Sequence, residues 1–522
     1  MNEQNGKRLF HHAIFLTVAA LLTKVLSIVY RIPYQNITGD VGFYIYQQVY
    51  PIHGIVFTLA MYGFPVVISK LLVEQNENRQ HFISVAFFVL SLMSVVVFLI
   101  LFFFAPLLAQ FVGDEQLTTL YRTMAFAFLF VPFISVIRGV FQAEEQVHPT
   151  ALSQLSEQLV RVVVIVVLAV YLISQGFSVY VVGTGAAFGS LAGGMASVLT
   201  LLCFYIYHFG NPMARFSFAF DRKQAMSITK RLVVQGFSVS IGALALIFFQ
   251  FIDSLTVLNL LKQYGLSSFD AKVIKGVYDR GQPLLQLGFT LATSLSLVIV
   301  PTIAASLKKN DQQTMRAQAG FALKIALVIS LAASVGLAII IEPTNVMLFK
   351  DDRGSFVLAI LGIAICFGSI SLTAIAILQG MDNVNVTLFV VVLGMIVKIG
   401  SNVVFIPMYG ISAAAVATVL GFAVMAIFSI LYVQKQLRLF SHYRFYFVRI
   451  IGAASGMAVV AWVWMTVAQS YLFSSSRLGV TGTALSTVTI AVIVYFGLLF
   501  VCRVFSRSEL AFMKKKGKGV NV

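Results

Sequence analysis

The chain has few charged residues and very few cysteines. Only 11% of its 522 residues are Asp, Glu, Lys or Arg, whereas 59% are hydrophobic. Because soluble globular proteins carry about 25% charged residues, a chain of this composition cannot be a soluble globular protein. The three cysteines all lie inside apolar runs and indicate neither a disulfide framework nor a metal site. No nucleotide-binding loop is present, and we expect no metal, cofactor or catalytic residue.

Long apolar runs dominate the sequence. A bilayer core about 30 Å thick needs roughly 20 residues of helix, and fourteen runs reach or approach that length. The first run is longer than the apolar part of a signal peptide, so we interpret it as a retained span. The predicted spans are 10–32, 44–69, 82–108, 119–141, 158–175, 179–208, 232–258, 278–306, 321–341, 355–379, 386–406, 411–433, 447–471 and 480–505. The sequence therefore predicts an all-α integral membrane protein of about fourteen transmembrane helices.

Lysine and arginine are concentrated in alternate loops. The N-terminus, the loops after the sixth, eighth and twelfth spans, and the C-terminal tail carry most of them, and the other loops are poor in them. The exceptions are Lys262, Lys272 and Lys275, which follow the seventh span. By the positive-inside rule both termini are cytoplasmic. Topology and contact with anionic lipid then explain the net charge of +17, and we expect no nucleic-acid partner.

Two stretches of the chain repeat without gaps. The pattern Pro-x-x-x-x-x-Phe-Thr-Leu-Ala occurs at 51–60 and again at 283–292, and residues 142–161 match 379–398 in a similar register. In both matches the second copy lies six spans after the first. Because six is even, the copies enter the membrane in the same direction, as two parallel six-helix lobes. The predicted division is an N-lobe at 1–210, a basic cytoplasmic linker at 211–231, a C-lobe at 232–446, an extra pair of C-terminal helices at 447–505, and a basic cytoplasmic tail at 506–522.

Several ionisable residues fall at bilayer depth, where each costs roughly 2.5–3.5 kcal/mol on insertion scales and tends to face a cavity. Lys24 and Arg31 are seven residues apart on one face of the first span. With Arg280 and Lys398 they predict a cationic cavity that binds phosphate or pyrophosphate. For Arg31 an interfacial position at the outer end of the span stays open as an alternative. His53 is better interpreted as a hydrogen-bonded core residue than as a titrating group.

Other charges are predicted to support this cavity. Glu157 and Arg161 have the i, i+4 spacing of an intrahelical pair, and Arg161 is expected to orient or neutralise its surroundings. Arg138 closes the fourth span, Asp253 lies in the seventh, and Asp279 opens the eighth. We expect these five residues to form supporting charge pairs.

The region around Arg138 resembles a known signature. The run RGVFQA at 138–143, followed by PTALSQ at 149–154 and EQLVR at 157–161, is similar to stage V sporulation protein B-like polysaccharide transporters. These are relatives of the MurJ lipid II flippases in the multidrug/oligosaccharidyl-lipid/polysaccharide exporter superfamily. The resemblance implies two lobes around a cavity that opens alternately to each side. It also implies cavity cations that bind a lipid-linked pyrophosphate, and a groove for the lipid tail beside the extra helix pair. Lys24 departs from the family, which more often has arginine there.

The function expected from these features is transport rather than catalysis. We predict a flippase that moves an undecaprenyl-pyrophosphate-linked cell-wall or polysaccharide precursor, such as a lipid II-like molecule, across the bacterial cytoplasmic membrane by alternating access. A multidrug/cation antiporter of the same superfamily is the alternative. A membrane enzyme is disfavoured because no large outer loop or clustered carboxylate motif is present. The expected partners are the undecaprenyl-linked glycan and membrane lipids, a coupling ion stays open, and we expect a monomer.

Overall fold

The protein is described by a computed structural model that covers residues 22–23, 25–74, 79–210, 222–293, 303–307, 309–472 and 476–505. Within these ranges the regular structure is helical and no strand occurs. The helices are α1 (Arg31–Thr58), α2 (Phe64–Glu74), α3 (Arg79–Val112), α4 (Thr118–Ala125), α5 (Val131–Ala143), α6 (Val147–Ser174), α7 (Val179–Phe209), α8 (Arg222–Gln263), α9 (Ser268–Asp279), α10 (Gly281–Thr293), α11 (Gln312–Phe349), α12 (Ser355–Gly380), α13 (Val384–Tyr409), α14 (Ile411–Leu437), α15 (Phe440–Val467) and α16 (Arg477–Val501).

The predicted all-α membrane fold is confirmed. Twelve helices in the described part of the chain are long and apolar enough to cross a membrane. The predicted spans at 10–32 and 278–306 lie partly outside the described residues. The twelve helices observed are therefore consistent with the fourteen spans predicted. Lys24, residues 211–221 of the predicted linker, and the tail at 506–522 also lie outside them.

Residues 33–43, which lie between the first two predicted spans, are helical. A helical segment extends from Val25 to Glu74, and its axis breaks at Gly39, where φ is 69° and ψ is −173°. Glycine adopts this positive φ without the steric cost that a Cβ would bring. Further along, Pro51 lies inside α1, and a π-helical turn at Leu59–Gly63 separates α1 from α2. Proline and π-turns are the usual causes of such irregularities in long helices.

The described chain divides into two compact units, Met1–Asp279 and Arg280–Val522. In the first unit, α6 and α7 pack along a row of glycines. A Cβ at Gly189 would lie 2.6 Å from the Ile165 side chain, and a Cβ at Gly193 would lie 2.6 Å from the Glu157 carbonyl oxygen. Small residues at four-residue spacing permit this close approach, which is how helices associate in lipid.

The second unit contains α10 to α16. Helix α11 has Asp311 as its N-cap, and the Asp311 carboxylate accepts a hydrogen bond from the Thr314 amide at 3.0 Å. Hydrogen bonds from the Thr314 side chain and backbone lower the pKa of Asp311. The last helix, α16, is tied to α11 by the Tyr495 hydroxyl, which donates to the Val328 carbonyl at 2.8 Å. The boundary between the units follows Asp279, inside the predicted eighth span, and the division into lobes by repeat stays a prediction.

Candidate functional site

Two buried arginines meet at the ring of Tyr50 in the first unit. Arg31 begins α1, and its guanidinium carbon lies 3.9 Å from the ring centroid. Arg161, on α6, lies 5.8 Å from the same centroid. Tyr46, Tyr50 and His53 follow one face of α1 at intervals of four and three residues, so they present their side chains together. We call Tyr30, Arg31, Tyr46, Tyr50, His53 and Arg161 the arginine–tyrosine cluster.

The hydrogen bonds of Arg161 all go to neutral groups. Its Nη1 donates to His53 Nε2 at 2.7 Å, and its Nη2 donates to the hydroxyls of Tyr30 at 2.7 Å and Tyr46 at 3.0 Å. The two hydroxyls are also hydrogen-bonded to each other. Because a guanidinium can only donate, His53 Nε2 must accept and the ring is neutral with its proton on Nδ1. Within the described residues Arg161 forms no ion pair, although it is only 1% exposed.

The predicted pair between Glu157 and Arg161 is wrong. Glu157 instead pairs with Arg138, at 3.2 Å between Oε2 and Nη2, and both side chains are almost fully buried. Arg138 also donates to Ser153 Oγ at 3.1 Å and to Ser197 Oγ at 3.0 Å. These contacts connect α5, α6 and α7. Spacing along α6 permitted the intrahelical pair, but the packing of α5 placed a second arginine next to the carboxylate.

The two predicted aspartates lie on α8 and α9 and are hydrogen-bonded locally. Asp253 accepts from the Tyr278 hydroxyl at 2.8 Å. Asp279 accepts from Lys275 Nζ at 2.6 Å, one helical turn earlier, and both side chains are about 3% exposed. These contacts fit a supporting role, and a direct role in binding stays a prediction.

Arg280 and Lys398 belong to the second unit, where protein atoms bind both of them. Arg280 forms a bidentate pair with Asp351, at 2.6 Å and 3.0 Å. Partial burial disfavours the charge on Asp351, but its hydrogen bond and ion pair with Arg280 outweigh this and lower its pKa. Lys398 donates to the Ala414 carbonyl at 3.0 Å and to Thr418 Oγ1 at 2.6 Å, and so links α13 to α14.

The structure therefore brings Arg31 together with Arg161 in one cluster. Sequence reasoning had assigned Arg161 a supporting role and had not included the tyrosines. The signal that could have revealed them is the spacing of Tyr30 and Tyr34, and of Tyr46 and Tyr50, each four residues apart and therefore on one helix face. His53 is a hydrogen-bonded core residue, as expected. Across the described ranges no group of His, Cys, Asp and Glu could hold a metal ion.

An apolar groove lies in the second unit between α11, α12, α14 and α15. The space in and directly above this groove, which is open to its surroundings, is about 640 Å³. Residues that line it include Leu323, Lys324, Ile370, Val433, Tyr446 and Ile450. Lys324 is the one lysine of this lining, and its ammonium lies 3.8 Å from the Tyr446 ring centroid and 5.1 Å from that of Phe505. The groove thus combines aliphatic walls with one buried cation that rests on aromatic rings.

Long apolar helices define the molecule as a polytopic helical membrane protein. Its fold is shared with a solved structure of the lipid II flippase MurJ in an inward closed conformation. The TM-score to that structure is 0.69 at 15% identity, over 94% of this chain and 98% of the other. The sequence profile of the polysaccharide biosynthesis protein family matches residues 9–307, and the chain belongs to this family.

Two relatives from Bacillus subtilis (strain 168) extend the comparison over most of the chain. The uncharacterized membrane protein YabM is 37% identical over 505 residues, which cover 95% of this chain and 93% of YabM. Stage V sporulation protein B is 26% identical over 448 residues, covering 81% of this chain and 83% of that protein. The predicted relationship to the stage V sporulation protein B-like and MurJ-like group is confirmed, as is the prediction of a multi-pass protein of the bacterial cytoplasmic membrane.

Proposed function

We propose that this protein is a flippase for a lipid-linked oligosaccharide. It would move an undecaprenyl-pyrophosphate-linked cell-wall or polysaccharide precursor from the inner to the outer leaflet by alternating access. Membership of the polysaccharide biosynthesis protein family and the fold shared with MurJ support this proposal. The substrate has an anionic polar headgroup and a long apolar tail, so it needs a cationic path beside an apolar one.

The observation that carries the proposal is the charge of Arg161. Three other buried cations in the described chain pair with carboxylates: Arg138 with Glu157, Arg280 with Asp351, and Lys275 with Asp279. Among the described residues, the groups that hold Arg161 are neutral hydroxyls and an imidazole. A buried cation without an acid attracts an anion, and planar guanidinium groups grip phosphate oxygens through paired hydrogen bonds. Arg31, next to the same Tyr50 ring, would supply the second fork.

The headgroup site is closed in this structure, since both guanidinium groups are buried. The proposal therefore requires that α1 and α6 separate to admit the diphosphate. Lys24, Arg280 and Lys398 stay candidates for contacting the same headgroup at other stages of transport. The ion pair between Arg280 and Asp351 would have to break before Arg280 could bind the substrate.

The tail would occupy the apolar groove beside α15. Because the tail of such a substrate is already in lipid, the groove has to replace lipid contacts with equally apolar packing. The groove is walled by leucine, isoleucine and valine, so it offers the tail an apolar surface. This assignment also gives the extra helix pair a purpose, because α15 forms one wall of the groove.

The alternative is a multidrug/cation antiporter. It is supported by the fold, which is shared at TM-score 0.66 with an inward-facing multidrug resistance MATE family transporter. A carrier of cationic drugs would need an acidic cavity, whereas the cluster at Tyr50 is basic. The charge of the site therefore favours the flippase.

Depletion of the protein in cells would test the function. We expect undecaprenyl-linked intermediates to accumulate on the inner leaflet, and mass spectrometry of extracted lipids would identify them and their glycan. If no such intermediate accumulated while sensitivity to cationic drugs rose, the antiporter would replace the flippase.

Variants of Arg161 would test the site. Arg161→Lys keeps the charge but loses the forked geometry, and Arg161→Gln loses both, so headgroup transfer in proteoliposomes should fall moderately in the first and strongly in the second. Arg79→Gln is a suitable control because it breaks only an exposed pair with Glu144. Equal transfer by wild type and Arg161→Gln would overturn the assignment.

A further inference from the structure

The three lysines that violate the positive-inside pattern are all bound within the first unit. Lys262 Nζ donates to the Gly113 carbonyl at 2.7 Å, and Lys272 Nζ lies 2.9 Å from Asp114 Oδ2. Lys275 pairs with Asp279. Because the outer loops otherwise avoid lysine, these residues need a local reason, and two of them contact the single turn at Gly113 and Asp114.

Asp114 is the centre of this arrangement and is only 4% exposed. The hydroxyls of Tyr44 and Tyr180 donate to its Oδ2 at 3.1 Å and 2.7 Å. The Lys272 ammonium contacts the same oxygen and also donates to the Tyr180 hydroxyl at 2.7 Å. One buried carboxylate therefore connects α1, α7 and α9. A hydrogen-bonded ion pair with so little solvent exposure is costly to break on one side only.

The backbone is in close contact at the same end of the unit. Asn259 Nδ2 donates to the Phe111 carbonyl at 2.6 Å. A Cβ at Gly276 would lie 2.1 Å from the Asp40 carbonyl oxygen, so α9 touches the break in α1 directly. Only glycine permits this distance. Polar contacts and steric fit thus seal α9 and the end of α8 against the turn at Gly113 and against α1.

These contacts join residues that belong to different copies of the predicted sequence repeat. Asp114, Tyr44 and Tyr180 lie in the first repeat, whereas Lys262 and Lys272 lie in the second, at the outer ends of their predicted spans. We propose that Asp114, Lys272, Tyr44, Tyr180 and Lys262 form an outer latch that holds the outer ends of the two repeats together. Release of the Asp114–Lys272 pair is then a required step in opening the protein to the outside.

Cysteine labelling would test the outer latch. In a chain whose three native cysteines are replaced by alanine, Ala271→Cys places a thiol on α9 at a position that is fully buried in the closed structure. A membrane-impermeant maleimide added to intact cells should label this thiol slowly. Adding Lys272→Met should raise the labelling rate about tenfold or more. The control is Arg79→Met, which removes an exposed pair between α3 and Glu144, both in the first repeat.

A faster rate with Lys272→Met and an unchanged rate with Arg79→Met would support the outer latch. An unchanged rate with Lys272→Met, or an equal rise in the control, would overturn it. If Lys272→Met failed to elute as a folded monodisperse protein, Gly276→Ala would replace it, because a methyl group there must push α9 away from Asp40. The measurement needs no substrate, so its failure would leave the proposed flippase function untouched.

Discussion

Replacing Glu157 with glutamine should destabilise the protein more than any exposed charge change. Glu157 is the carboxylate partner of Arg138, which is fully buried and also bonds to Ser153 and Ser197. Glutamine keeps the shape but leaves the guanidinium charge uncompensated. Removing one partner of a buried pair typically costs about 3–5 kcal/mol. We expect a loss of stability of this size.

A double-mutant cycle would identify the partner of Glu157. Removing Arg138 as well takes away the uncompensated charge, so Arg138→Gln/Glu157→Gln should be much less destabilised than the sum of the single variants. The expected coupling free energy is at least about 1.5 kcal/mol. The coupling of Glu157→Gln to Arg161→Gln should be clearly smaller, because Arg161 bonds to His53, Tyr30 and Tyr46 instead.

The assay is unfolding by SDS titration in mixed micelles, followed by circular dichroism. Tryptophan fluorescence would not report on this region, because both tryptophans, Trp462 and Trp464, lie in α15 of the second unit. The exposed pair Arg79–Glu144 is the matched control and should contribute about 0.2–1 kcal/mol. If Glu157→Gln cost no more than Arg79→Gln, or coupled more strongly to Arg161 than to Arg138, the reasoning from burial and distance would be refuted.

Three further predictions concern other contacts. The pKa of Asp351 is lowered in the folded protein, so its pair with Arg280 contributes its full stability above the unfolded pKa of about 4. This stability is lost as the pH falls through the lower folded pKa. The difference in thermal stability between wild type and Asp351→Asn should therefore be constant from pH 7 to pH 5 and shrink below pH 4. Tyr495→Phe should cost about 1 kcal/mol in SDS unfolding, since it removes the side-chain hydrogen bond between α16 and the Val328 carbonyl of α11; no loss would mean that α16 is held by packing alone. Gly193→Ala should cost about 1–3 kcal/mol, because the added methyl meets backbone of α6, and an unchanged stability would show that α7 can move aside.

The membrane fold could be predicted from sequence because lipid imposes a simple rule. Each crossing requires roughly 20 apolar residues in a helix, and a run of that length is visible without knowledge of its neighbours. The helix that continues through residues 33–43, between the first two predicted spans, could not be seen in the sequence. Only Gly39 departs from helical φ and ψ in this segment, and the pattern of apolar runs cannot distinguish such a one-residue break from a loop.

The candidate site could be predicted only in part. A buried charge is conspicuous in an apolar sequence, which is why Arg31, Arg138, Glu157 and Arg161 were found. Their partners were not, because a partner on another helix depends on how the two helices rotate and cross. Tyr30 and Tyr46 are ordinary aromatic residues in the sequence, and only packing places their hydroxyls on Arg161.

By itself, the sequence determined that the protein spans the membrane many times, which way its loops face, and which charges had to be sheltered from lipid. These properties depend on residue type and order along one chain, and the bilayer acts on each span separately. The tertiary structure alone decided that Glu157 pairs with Arg138, that Arg161 bonds to neutral groups within the described part of the chain, and that Lys272 contacts Asp114. Such pairings join residues far apart in the chain, and their energies depend on separations of a few ångströms that only the packing of whole helices sets.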